Sequence, residues 1–227
     1  MTREELTAAR QPSTRATAKG PERGGYNYVM PDKKSPPLPD EFLSSEFEYI
    51  ANSAFQANED RSKAASFFIV SVGSLAAAIF GAQQLGEMEV IPRTLYLLLF
   101  GLFLTLTALG ALTVAQLARL RSAWHEAALA MNQMKDFYAA RFDGLEAAFL
   151  WRTETLPPKY KTGSISYYTA LEVALLSALT FGASVYFLQV GIPYTRCLWA
   201  FTISAGALAF FAQLFLYKRL LTEKRKP

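Results

Sequence analysis

Long apolar stretches alternate with polar ones along this chain, and the period of the pattern changes with them. Near-continuous apolar runs cover 64–85, 94–117, 167–190 and 197–217. Each holds about 20 residues or slightly more, the length a helix needs to cross a hydrocarbon layer ~30 Å thick. Outside these runs the apolar residues fall at helical spacing instead. After Pro39, Asp40 is placed to cap a helix. Leu43, Phe47, Ile50 and Ala54 then follow in steps of four, three and four, on one face. Glu41, Glu46 and Glu48 lie early, where the helix dipole favours acids.

The strongest periodic signal beyond the apolar runs follows the second of them. Leu117, Leu120, Trp124, Ala127, Met131, Met134 and Tyr138 repeat in alternating steps of three and four. With no Gly or Pro from Ala111 to Phe142, the helix is expected to leave the membrane unbroken for nearly 40 Å at 1.5 Å per residue. A seam of that length needs a partner. The face at Leu43–Ala54 offers one within the chain, and a second subunit offers another. Asp143-Gly144 ends the helix, Leu145–Trp151 has room for one or two amphipathic turns, and Pro157-Pro158 interrupts the chain.

The expected architecture is all-α, a four-helix transmembrane bundle with helical extensions. Its parts are a flexible tail (1–39), an amphipathic helix (40–63), a first membrane hairpin (64–117), a helix and linker (118–166), a second hairpin (167–217) and a basic tail (218–227). The tail has six prolines and scattered charge, too little apolar surface for a core. Tyr26, Tyr28, Val29 and Met30 are its only candidates for a binding arm.

Charge orients the hairpins. Of the 23 Lys and Arg, all but Arg93 and Arg196 lie before the first run, between the second and third, or after the fourth. Basic residues mark the cytoplasmic side, so both termini and the middle segment are expected there, in a bacterial inner (plasma) membrane. Tyr160, Tyr167 and Tyr168 suit an interfacial aromatic belt. The net charge of +4 therefore speaks for anionic headgroups rather than nucleic acid. The first apolar run begins too far into the chain for a secretory signal. Expected partners are the lipid bilayer and either further copies of the chain or a larger membrane complex.

Chemistry is sparse. Cys197 and His125 are the only residues of their kinds, which excludes an intrachain disulfide and any metal site needing several Cys or His ligands. There is no nucleophile motif and no phosphate loop, so neither enzymatic activity nor a cofactor is expected. His125, off the seam, reads as a solvated helix residue. Small residues recur every four positions at Gly73, Ala77 and Gly81 and at Ala170, Ala174, Ala178 and Gly182. They read as packing faces where helix backbones approach closely. Glu172 is the one acid inside a run; an intramembrane carboxylate is by default a functional hypothesis. Gln213 is expected at comparable depth, where a hydrogen bond to Glu172 would satisfy both. Phe80-Gly81 and Ile91-Pro92 recur 101 positions later as Phe181-Gly182 and Ile192-Pro193, which suggests two hairpins related about an axis along the membrane normal.

Two apolar runs followed by the long helix from Arg119 to Tyr138, with Trp124 and Met131 on its seam, resemble the SLATT class of small bacterial membrane proteins. The likeness covers residues 60–142 and lies in architecture; the second hairpin departs from it. The resemblance implies a pore-forming effector; a pore needs a polar axial lining, for which Ser66, Ser71 and Ser74 of the first run are the candidates. A third reading, a small proton-coupled exporter, would rest on Glu172.

Overall fold

The computed structural model describes residues 39–85, 92–192 and 198–222. Within them the chain forms four long helices: α1 (Pro39–Leu85), α2 (Arg93–Arg141), α3 (Ile165–Gly191) and α4 (Leu198–Thr222). All four are long and apolar enough to cross a membrane. The binding-arm candidates of the first 38 residues, Cys197, and Ile91 and Pro193 of the repeated dipeptides lie outside the described residues, as do positions 223–227.

α1 has 47 residues and α2 has 49, roughly 70 Å each at 1.5 Å per residue. α3, with 27, reaches only about 40 Å. The excess length of α1 and α2 forms a two-helix stalk beyond the bundle. No residue breaks either helix between its apolar and amphipathic halves, so the membrane segment and the stalk are one rod. Tyr138 Oη donates to Asp40 Oδ1 at 3.4 Å, which brings the start of α1 beside the end of α2. Leu43 and Phe47 line one groove with Met134 and Tyr138.

The helices pack in the order α1, α2, α3, α4, with diagonal contacts between α1 and α3 and between α2 and α4. Among the described residues the backbones of α1 and α4 do not come close, although Tyr217 of α4 shares a buried cluster with Phe68 of α1. A two-fold relation between the hairpins would pair α4 with α1 as it pairs α2 with α3. The expected duplication is therefore not expressed as a symmetric pair of hairpins.

α3 is the centre. Of its most apolar stretch 39% is buried, against 6% for α4. Its small residues explain this, because they let neighbours approach on two faces. Val173, Ser177, Thr180 and Ser184 are buried on one, and Ala170, Ala174, Ala178 and Gly182 are buried beside them. α4 instead presents Phe201, Ile203, Leu208, Phe211 and Phe215 outward, the surface that lipid tails cover.

The first small-residue stripe behaves differently. Gly73, Ala77 and Gly81 are exposed, and nothing lies within 4 Å of a Cβ built at either glycine. This corrects the expectation of a packing face on α1 within the chain. Phe68, Ala65, Ala57 and Ala54 on the opposite side of α1 do that packing instead. The tightest approaches between helices fall at Gly110, Gly191 and Gly206, and Gly206 packs on Ala178 and Gly182 of the second stripe. A Cβ at Gly110 would collide with the side chain of Ser177 and lie 2.8 Å from Phe68 Cζ. One at Gly206 would lie 3.2 Å from Ala178 O.

Candidate functional site

Two polar constellations stand out against the apolar frame: a line of hydroxyls and amides inside the bundle, and a strap that binds the stalk.

The internal line follows α3. Ser184 Oγ donates to Phe100 O at 3.3 Å, Ser177 Oγ donates to Thr107 O at 3.2 Å, and the Thr107 and Thr180 hydroxyls share a bond of 3.0 Å. From α4, Gln213 Nε2 donates to Ser177 Oγ at 2.8 Å. With no water in a bilayer core, such groups must find protein partners; in folded membrane proteins each interhelical bond contributes about 0.6 kcal/mol. The line thus sets the register of α2, α3 and α4. It corrects the expected Glu172–Gln213 bond: Gln213 turns to Ser177. Glu172 stands exposed in a groove between α1 and α3 that Arg61, Asn58, Ser66 and Thr169 also line. No ion pair among the described residues includes it.

At the stalk end of the bundle, polar residues close the core. Arg61 donates to Ser166 Oγ, and Tyr217 Oη donates to Ser166 O at 3.3 Å. Arg121, 6% exposed, donates from Nε to Lys159 O at 3.3 Å and lies 4.5 Å from the centre of the Trp124 ring. Burial lowers its pKa, yet a guanidinium so placed stays charged. The π-face of Trp124 stands in for a carboxylate.

The strap runs from residue 142 to 164. Just past the end of α2, Gly144 turns the chain with a φ of 85°, which is left-handed and natural for glycine. A short 3-10 turn follows at Leu145–Ala148, and Ser164 caps α3 by accepting from Tyr167 N. Between these points the strap is pinned along α2. Asn132 Nδ2 donates to Arg152 O at 3.0 Å. Arg152 Nε pairs with Asp136 Oδ1 at 2.8 Å, and Lys159 Nζ with Glu126 Oε1 at 2.9 Å. Thr153 foremost, and then Arg152, hold the Asp136 carboxyl below the ordinary aspartate range. His125 Nε2 lies 3.1 Å from Pro157 O. The ring is half-buried under the strap, which corrects its reading as a solvated residue. Burial lowers its pKa, an effect that the bond to Pro157 partly offsets.

The expected seam is thereby divided between two neighbours. Leu117 is fully buried in the bundle core. Leu120 lines a groove with Ala64 and Lys63 of α1, and Met134 and Tyr138 also face α1. Trp124 and Met131 turn to the strap, where Trp151, Leu156 and Pro157 complete a second cavity. Periodicity misses the buried Arg121, Ala128 and Asn132 that anchor the strap, because two are polar and the third is small. Their spacing of seven and four places them on one face, and that spacing is the signal that could have found them.

Among the described residues no group of three or more His, Cys, Asp or Glu is placed to hold a metal ion. No family model, no curated protein and no solved structure matches this chain.

Proposed function

We propose that this chain is a non-enzymatic integral membrane protein of a bacterial inner membrane that docks, through its cytoplasmic stalk, to a larger membrane complex. One observation carries the reading. The inward seam of the stalk is filled by the chain's own α1 and strap, while the outward sides keep large aromatic residues in the open. Phe42, Tyr49 and Phe55 are 60%, 68% and 71% exposed on α1. Beyond the bilayer such side chains meet water, and aromatic residues are enriched where proteins dock. Because the seam is occupied, self-association would have to use these outward faces.

The test is photo-crosslinking in intact membranes from positions 49 and 55, with position 208, on the lipid-facing side of α4, as reference. A discrete adduct from the stalk positions and none from 208 supports docking. Equal, diffuse labelling from all three positions defeats it. The mass of the nanodisc particle then separates a second copy from a different protein.

A pore is the second reading, and one feature favours it. Ser66, Gly73, Ser74 and Ala77 are exposed on the membrane part of α1 beside Phe67 and Val70, a face richer in small and hydroxylated residues than the Phe and Leu face of α4. Several copies turning that face to a common axis would line it with hydroxyls. Ion release from liposomes, abolished by Ser74→Leu, supports it; tight liposomes at all protein loads count against it.

A further inference from the structure

The cavity under the strap holds more than packing requires. It is about 270 Å³ in volume, walled by Trp124 and Met131 of α2 and by Trp151, Leu156 and Pro157 of the strap, with Lys135 at its edge. Concave, mainly apolar sites with a few placed polar groups are where small ligands bind. This one falls just below the roughly 300 Å³ at which drug-sized sites begin, so its occupant is a compound of one or two rings.

Two features define that occupant. The first is aromatic surface. Trp124 carries Arg121 at 4.5 Å from its ring centre, and Trp151 lines the same cavity from the strap, next to Arg152, which Asn132 and Asp136 anchor. Indoles favour a planar partner stacked or edge-on.

The second feature is charge. Around the cavity the carboxylates are engaged: Asp136 with Arg152 at 2.8 Å, Glu146 with Arg152 at 3.3 Å, and Glu126 with Lys159 at 2.9 Å. Glu154 of the strap is exposed and lines none of the cavity. Lys135 has no carboxylate: its Nζ leans on Asn132 Oδ1 at 3.5 Å and joins no ion pair among the described residues. Arg121, stacked on Trp124, likewise joins no ion pair among the described residues. The cavity is apolar in its walls and positive at its edge.

We infer that this cavity binds a small aromatic carboxylate, its ring between Trp124 and Trp151 and its carboxylate on the Lys135 ammonium. Ligand binding of this kind would tie the strap to α2 and so set the shape of the stalk surface.

The experiment is calorimetric titration of the full chain in nanodiscs with 2-naphthoate, and with 2-naphthamide as the neutral match; empty nanodiscs give the partition background. The expected result is saturable binding at one molecule per chain, with the amide at least tenfold weaker. Lys135→Met should erase the difference between acid and amide. Trp151→Ala should weaken both at least tenfold, with Trp151→Phe intermediate. Trp151 is exposed and far from the bundle core, so the variants are checked for unchanged helix content by circular dichroism. The inference is overturned by heats no larger than those of empty nanodiscs. It is equally overturned by equal binding of acid and amide to the wild type, or by variants that bind as the wild type does.

Discussion

Gly110 is the position at which three helices press on a single hydrogen atom. A Cβ there would meet Ser177 Oγ and Cβ of α3 and would lie 2.8 Å from Phe68 Cζ of α1. Phe68 offers the far end of a ring, which can tilt. Ser177 has no such freedom, since its hydroxyl donates to Thr107 O at 3.2 Å and accepts from Gln213 Nε2 at 2.8 Å. Gly110→Ala therefore forces α2 and α3 apart or breaks the Ser177 bonds. Overpacking costs about 1–3 kcal/mol, and two interhelical bonds add about 0.6 kcal/mol each, for a total of roughly 2–4 kcal/mol. Gly73→Ala is the control. It meets nothing within 4 Å and should lie within about 0.5 kcal/mol of wild type. Unfolding in mixed detergent micelles, followed by circular dichroism, measures both. Ser177→Gly in the Gly110→Ala background removes the obstructing atoms and should recover part of the loss. The reasoning is refuted if Gly110→Ala is as stable as Gly73→Ala, or if the double variant is weaker than the sum of the single ones.

Three further outcomes follow from the same geometry. The single imidazole of the chain, His125, should titrate below its ordinary value of 6.5 in an NMR pH series, because burial disfavours its charged form. The unfolded chain then binds the proton more readily than the folded one. The contribution to stability is complete above pH 6.5 and is lost as the pH falls from there toward the lowered folded value; a titration at or above 6.5 would contradict the buried placement. Asp136→Asn removes the nearer of the two charged partners of Arg152 and should make trypsin cut after Arg152 several-fold faster, read by mass spectrometry. Unchanged cutting would mean that the strap is held elsewhere. Glu172→Gln should leave stability within about 0.5 kcal/mol, since the carboxylate is exposed and joins no ion pair among the described residues; a larger loss would show that it has a partner inside the bundle.

Much of the architecture was legible in the residues alone. Continuous apolar runs at 64–85 and 94–117 marked membrane helices, because a single apolar segment of that length satisfies its own backbone in lipid only as a helix. The breaker-free stretch to Phe142 marked α2 as one rod, since nothing between Ala111 and Phe142 costs a helix its hydrogen bonds. Hydrophobic spacing placed Leu43, Phe47, Met134 and Tyr138 on seams, and the structure joins those seams within one chain. Which small residues become contacts was not legible. Gly73 and Gly110 are alike in the sequence, and only the crossing of α1, α2 and α3 decides that one is open and the other closed. Nor could spacing reveal that Gln213 would choose Ser177 over Glu172, a matter of which helix faces which. The strap is the clearest case. Its bonds to Asn132, Asp136 and His125 join segments up to 32 residues apart, and each is polar. Hydrophobic periodicity records what leaves water and is silent about which polar groups then satisfy one another; only the tertiary fold settles that pairing.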